Sequence, residues 1–506
     1  MNNKKNSIAR SAAFLIGLTV FVKFIGFVKQ AVISYTYGTS LDMDIYLIVS
    51  SFISEVGVMF FSSLSINLVT IYDREKEKKG RKSSDIIVAN SLMVLTVFSV
   101  FLVLIVCLLA DPLSTMLAPG LSAENREVLA YYIKGLSFLM INIAVSNICI
   151  GILNAEKDFL IAKSIGLIQS VCIIGACFVL AGKMGITAIY LGFGVYYVLE
   201  NIFLLVRVFK KVGFHPVHPF QDPAVRNLIN LSIPLFFSNA IIQINAMVDK
   251  AIASGLDEGS VSSLSYGNFL FQTIHSVIIG SITTVLLSYF SEFAVKGEHK
   301  KIADNVRKCS LIMLLVLMPV TIICFVNSDN IISMIYKRGV FDEVSVMTTS
   351  RAFIGYTAGI LFIAFRDIFI QVLYAFQKTK EAMINGIAGV GINILLSLCL
   401  SQTYGVLGIS IADSIAYIIV VITGFLMTVK VLPEIRQILR GKEIADFLFA
   451  GFLSFTLGML AKGWTQGIPI YVGMAINIIL ILASYTIILL LAKNPAIKMV
   501  QCLIRR

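Results

Sequence analysis

The chain has 506 residues, of which 58% are hydrophobic and only 14% charged, and its mean hydropathy is +0.89. Soluble globular chains carry about 45–50% apolar and about 25% charged residues, so the composition excludes a soluble protein. The net charge of +12 does not argue for nucleic acid, because the basic residues lie in short loops between apolar runs, a membrane-orientation pattern.

Taken in chain order, apolar runs of about 20 residues, the length that crosses a bilayer, predict spanning helices over 10–36, 45–71, 86–110, 129–153, 159–182, 185–208, 226–252, 262–294, 308–327, 347–376, 381–401, 404–430, 444–464 and 468–492. Helices satisfy their own backbone in hydrocarbon. The fold class is therefore an all-α integral membrane protein of about fourteen transmembrane helices. The first run contains Lys23 and Lys29, continues to about Tyr37 and has no A-x-A site. It reads as a first helix rather than a cleaved signal. Eight cysteines, among them Cys107, Cys149, Cys172 and Cys177, are scattered through apolar runs without CxxC spacing. They read as small core hydrophobes.

Lys and Arg fall on alternate loops. Lys4, Lys5 and Arg10 are followed by Arg74, Lys76, Lys78, Lys79, Arg81 and Lys82. The same side continues with Arg207, Lys210 and Lys211; Lys296, Lys300, Lys301, Arg307 and Lys308; Lys378 and Lys380; Arg436, Arg440 and Lys442; and Arg505 and Arg506. The intervening segments 37–43 and 255–261 have no Lys or Arg, and 111–128 has only Arg126. This asymmetry places both termini in the cytoplasm.

An internal repeat is visible at a shift of 220 residues, where Val28, Ala31, Ser34 and Tyr46 meet Val248, Ala251, Ser254 and Tyr266. The same shift matches Ile148, Ile150, Leu153, Ala155 and Gly166 to Ile368, Ile370, Leu373, Ala375 and Gly386, and Gly185 to Gly405. The expected organisation is a six-helix lobe over 1–220, a second over 221–440, and two added helices over 441–506. An even helix number per repeat implies a pseudo-twofold along the membrane normal, with the solute path between the halves.

Charges inside apolar spans cost about 2.5–3.5 kcal/mol on insertion scales and normally face a cavity or a partner. Lys23 and Arg366 fall near mid-span, Lys29 lies six residues beyond Lys23 on a broadly overlapping face, and cations in a central cavity suit an anionic substrate such as a phosphate or pyrophosphate. The competing reading is snorkelling or an ion pair with Glu55 or Asp367. The acids are Asp44, Glu55, Glu200, Asp249 and Asp413. Asp44 and Glu55 suit a gate or an ion pair. Asp249, Asn393 and Asp413 are a candidate oxygen-rich site for Na+ or H+, against a salt bridge to Lys250. The four histidines make no catalytic set, and GxSxG, P-loop and HExxH motifs are absent, so no enzyme and no cofactor are expected. The basic loop 73–85 reads as an orientation signal with some attraction for anionic lipid.

The segment FVKFIGFVKQAVISYTYGTSLDMDIYLI (21–48) resembles the first-helix signature of the MurJ/MviN family of lipid II flippases. The resemblance continues in LAPGLS (117–122), ILNAEKDFLIAKSIGLIQ (152–169) and MIYKRGVFDEVSVMTTSRAFIGYTAGI (334–360). It implies a bacterial inner-membrane flippase carrying undecaprenyl-pyrophosphate-linked lipid II outward, with membrane lipids and cell-wall synthesis proteins as partners. It also implies that Lys23 and Lys29 stand where the family usually has arginine, that Gly26 and Asp44 match its glycine and acid, and that the last two helices guide the lipid tail. The family's second-helix basic residues fall near Val56 and Gly57, and its eighth-helix arginine and nearby acid fall on Phe269 and Gln272, which makes this cavity less basic. Members with a sodium site resemble this chain at Asp249 and Asn393, with threonine more usual at Asp413. The alternatives are a capsule, O-antigen or exopolysaccharide unit flippase, a cation-coupled multidrug extruder, and a non-transporting membrane scaffold.

Overall fold

The computed structural model describes the backbone of residues 2–437, 441–465, 467–497 and 499, and their side chains from residue 17 onward except at 159, 160, 162, 163, 238, 281–285, 288 and 437. The side chains of Lys4, Lys5, Arg10, Arg440, Arg505 and Arg506, used in the orientation reading, lie outside the described residues. Every regular element among the described residues is helical. Eleven helices are long and apolar enough to cross a membrane, or thirteen when two bent pairs each count as one span, so the protein is a multi-pass membrane protein. Helix α10 (Ser260–Val295) covers the remaining expected run, and the side chains at 281–285 and 288 within it lie outside the described set.

The chain divides into two compact units: 1–261 with 338–341, and 262–337 with 342–506. The first contains α1 (Asn2–Tyr37), α2 (Leu41–Lys79), α3 (Arg81–Leu108), α4 (Ala110–Leu117), α5 (Ala123–Ser137), α6 (Leu139–Ala155), α7 (Phe159–Met184), α8 (Thr187–Phe209) and α9 (Pro223–Ala253). Helix starts follow from the sequence: Ser40, Ser122 and Asp222 each turn a side-chain oxygen onto a backbone N–H of the first turn. Pro223 occupies the first turn of α9, and Pro234 precedes its 42° bend. The expected span 129–153 is instead α5 and α6, broken by 40° at Phe138.

Helix α2 packs against α6 and α9, and α7 against α1 and α8. Lipid tails are as apolar as the helix faces, so close backbone approach and interhelical hydrogen bonds must hold such contacts. At the α2–α6 contact a Cβ on Gly151 would sit 2.8 Å from Ser65 Oγ, and that hydroxyl donates to Asn147 O at 2.8 Å. The linker from α8 to α9 is pinned by Asn90 of α3, which is fully buried. Its Nδ2 donates to Val217 O (3.0 Å) and Asp222 Oδ2 (2.6 Å), and its Oδ1 accepts from Val217 N–H (2.9 Å).

The second unit contains α10 from Ser262 onward, α11 (His299–Val326), α12 (Ser328–Tyr336), α13 (Glu343–Ala358), α14 (Ile360–Ala375), α15 (Thr379–Tyr404), α16 (Val406–Val431), α17 (Gly441–Trp464) and α18 (Ile470–Leu491). Helix α16 packs on α13, α14 and α15, with Ser414 Oγ donating to Gly355 O at 2.5 Å. The pair α17–α18 docks on α11, where Tyr485 donates to Leu314 O at 2.9 Å and Arg307 pairs with Glu443.

Two turns and two glycines 220 residues apart share backbone patterns. After α6, Glu156, Lys157 and Asp158 donate to Ile152, Asn154 and Leu153. After α14, Phe376, Gln377 and Lys378 donate to Val372, Tyr374 and Leu373. Lys157 and Gln377 have φ of 59° and 58°, and Gly185 and Gly405 have 55° and 57°. The short helices α4 and α12 correspond in the same way, each following a long helix directly.

Candidate functional site

Helix α1 presents the two lysines. Lys29, half-buried, donates from Nζ to Gln169 Oε1 of α7 at 3.2 Å, and no carboxylate among the described residues pairs with it. Lys23 is exposed, six residues and about 9 Å earlier along the axis.

The acid on α2 is committed elsewhere. Glu55 accepts from Lys250 of α9 at 2.9 Å, leaving its Oε2 buried and without a hydrogen bond. Lys250 thus meets Glu55, the acid that the sequence reading offered to the α1 cations. Asp249, next along α9, is 8% exposed and accepts from Asn245 at 3.4 Å.

At the end of the first unit away from the basic loops, Asp44 is buried and accepts from Gly259 N–H at 2.8 Å, while Leu41 N–H donates to Glu258 at 2.9 Å. Gly120 meets the 254–255 backbone so closely that a Cβ would lie 2.1 Å from Gly255 Cα. The segment 338–341 joins this closure, Val340 N–H donating to Tyr35 O at 3.2 Å.

In the second unit Arg366 Nη1 donates to Asp367 Oδ1 at 3.0 Å, and the other oxygen of Asp367 lies 3.0 Å from His275 Nε2 of α10. Sequence reasoning passed over His275, which has no motif around it and meets its acid 92 positions away. Asn393 of α15 donates to Asp413 Oδ1 of α16 at 2.7 Å, with its own Oδ1 buried and unbonded. The structure therefore brings Asn393 and Asp413 together, and Asp249 belongs to the first unit. No group of three or more His, Cys, Asp or Glu that would hold a metal exists among the described residues.

The basic end of the first unit is cross-braced. Glu156, in the turn after α6, accepts from Lys76 and from Tyr72 Oη, both at 2.6 Å, and lies 3.8 Å from Arg81. Asp158 accepts from Arg207 at 2.9 Å and from Lys211 at 2.8 Å. Burial works to raise both carboxyls, but these donors and positive charges prevail and hold them below the usual carboxylate range.

The fold of this multi-helix bundle is that of known membrane transporters. It superposes on the lipid II flippase MurJ in an inward closed conformation with a TM-score of 0.79, at 22% identity over 94% of this chain and 98% of that one. It also matches an inward-facing multidrug resistance MATE family transporter of the MOP superfamily, with a TM-score of 0.71 and 14% identity over 81% and 95%. The chain belongs to the lipid II flippase MurJ family, whose model matches residues 33–481. A probable lipid II flippase MurJ of Borreliella burgdorferi is 24% identical over 431 residues, 84% of each chain.

Proposed function

We propose that the protein is a bacterial inner-membrane flippase that carries lipid II, or a closely similar undecaprenyl-pyrophosphate-linked saccharide, from the inner to the outer leaflet without altering it chemically. The observation that carries the reading is Lys29: an intramembrane cation, in a chain of this family, bonded to a neutral amide rather than to a carboxylate. Such a group attracts a diphosphate where a paired cation would not. Lys23, on the same helix, adds to this cationic set, and Arg366, paired with Asp367 in the second unit, stays a separate candidate. Asp44 and Glu55 serve closure, and the hydrogen-bonded pair Asn393–Asp413 of the second unit is the candidate for a coupling Na+ or H+, with Asp249 a separate candidate in the first. A membrane potential negative inside favours outward movement of an anion by about 2.3 kcal/mol per charge per 100 mV.

A second reading, a different lipid-linked saccharide, draws on Val56 and Gly57. Val56 is buried, and a Cβ on Gly57 would sit 2.7 Å from Ile143 Cγ2. The place where the family resemblance puts basic residues is thus occupied by apolar packing.

The test is complementation in cells depleted of their lipid II flippase, comparing wild type, Lys23→Gln and Lys29→Gln at matched expression. Wild type should restore growth, and Lys29→Gln should lower transport at least about tenfold, one lost interaction of about 1.4 kcal/mol. Failure of well-expressed wild type selects the second reading. Full rescue by both variants removes the cationic-site mechanism.

A further inference from the structure

Helix α8 carries a carboxyl that the proposed transport site does not use. Glu200 is 3% exposed and stands nine residues before the helix ends at Phe209, about 14 Å inside it along the axis. Its Oε2 is buried without a hydrogen-bond partner. The elements packed on α8 are α6 and α7. The titratable groups around the carboxyl are Cys149 of α6 and Tyr196 and Tyr197 of α8, with Cys172 of α7 beside Tyr196. None is basic, and Glu200 joins no salt bridge among the described residues. An ionised carboxylate there would be an uncompensated buried charge inside a membrane span, whereas a protonated one would not.

The neighbouring hydrogen bonds have a direction that fits. Ser146 Oγ donates to Asn201 Oδ1 at 2.8 Å, and Asn201 Nδ2 donates to Asn142 Oδ1 at 2.6 Å. Ser146 and Tyr196 also stand within hydrogen-bonding reach of Glu200. A hydroxyl has one proton to give. With that proton turned to Asn201, Ser146 offers Glu200 only lone pairs, and a bond between them then needs the proton on the carboxyl. An ionised Glu200 demands the reverse: Ser146 donates to the carboxylate, Asn201 turns its amide over, and Asn142 follows. The chain leads from buried Glu200, Ser146 and Asn201 to half-buried Asn142.

We propose that Glu200 is a proton-binding site, filled in this conformation, and that discharging it reverses the polarity of the Ser146–Asn201–Asn142 chain. One proton is exchanged with water and no other covalent bond changes. The ligand is H+ rather than Na+, because Glu200 is the one carboxylate among these side chains, and Asn201 Oδ1 already accepts from Ser146. The place of this site in a transport cycle rests on the flippase reading; the proton site itself does not.

Infrared difference spectroscopy of the purified full-length protein, titrated from acid to alkaline pH, tests the site without any transport assay. Wild type should show a protonated-carboxyl C=O band at neutral pH that fades on alkalinisation, is absent from Glu200→Gln, and is unchanged when sodium replaces potassium. Ser146→Ala should keep the band and move its midpoint up by about one pH unit, since it removes a charge-assisted donor to the ionised form. A wild type without the band at neutral pH, a band that persists in Glu200→Gln, a band that sodium abolishes at constant pH, or an unmoved midpoint in Ser146→Ala overturns the proposal. Because no lipid substrate is present, these outcomes are independent of whether lipid II is the cargo.

Discussion

Glu55 and Lys250 show how much a single side chain depends on its partner. Their side chains are 14% and 20% exposed, so removing either charge strands the other in a poorly solvated place, which in buried pairs costs about 3–5 kcal/mol. Glu55→Gln alone should therefore destabilise the protein more than Glu55→Gln combined with Lys250→Met, and thermal unfolding in detergent of the two variants checks this ordering. The sequence identified both residues as intramembrane charges. It could not pair them, because 195 positions separate them and helix periodicity carries no information about which face of another helix lies opposite. Arg366 and Asp367 were the legible case, since adjacent residues must be near one another. His275 was illegible for the opposite reason: its meaning comes only from Asp367 on another helix.

Among the elements, the turns after α6 and α14 share a backbone but not its chemistry. Glu156 and Asp158 stand where the later turn has Phe376 and Lys378, and there the ring of His299 lies 5.4 Å from Phe376 while Lys378 makes a longer, exposed pair with Glu381 at 3.6 Å. Both acids are held below their ordinary titration range when folded, so their stabilisation is complete above about pH 4 and is lost as pH falls below it. Amide hydrogen exchange near 156–158 should accelerate on acidification through that range, with no comparable response at 376–378. Gly405→Ala places a side chain at φ 57°, ψ −132°, a region L residues rarely adopt, and should cost about 1–3 kcal/mol, read as a lower melting temperature. The long helices were readable because apolar runs have a length set by the bilayer. Helices α4 and α12, of eight and nine residues, escaped because they are too short to produce such a run. The break at Phe138 follows Gly135 and Ser137, a weaker signal than the Pro234 that precedes the bend in α9.

Taken as a whole, the chain's orientation is a prediction that charge alone makes. Alkaline phosphatase fused after Lys82 should be inactive, and fused after Asp257 should be active, if the basic loops face the cytoplasm. Activity with the opposite pattern overturns that orientation. The two units, by contrast, do not end where the sequence reading expects its first lobe to end, because α9 lies beyond residue 220 yet packs on α2. The chain passes from one unit to the other at 261–262, 337–338 and 341–342, while the linker from α8 to α9, clasped by Asn90, lies wholly within the first. A cut in that linker would therefore fall inside the first unit rather than between the two. Two separately expressed halves, ending and beginning near 214, should meet again in the membrane with α9 seated on α2, because what holds the junction there is the packing rather than the peptide bond.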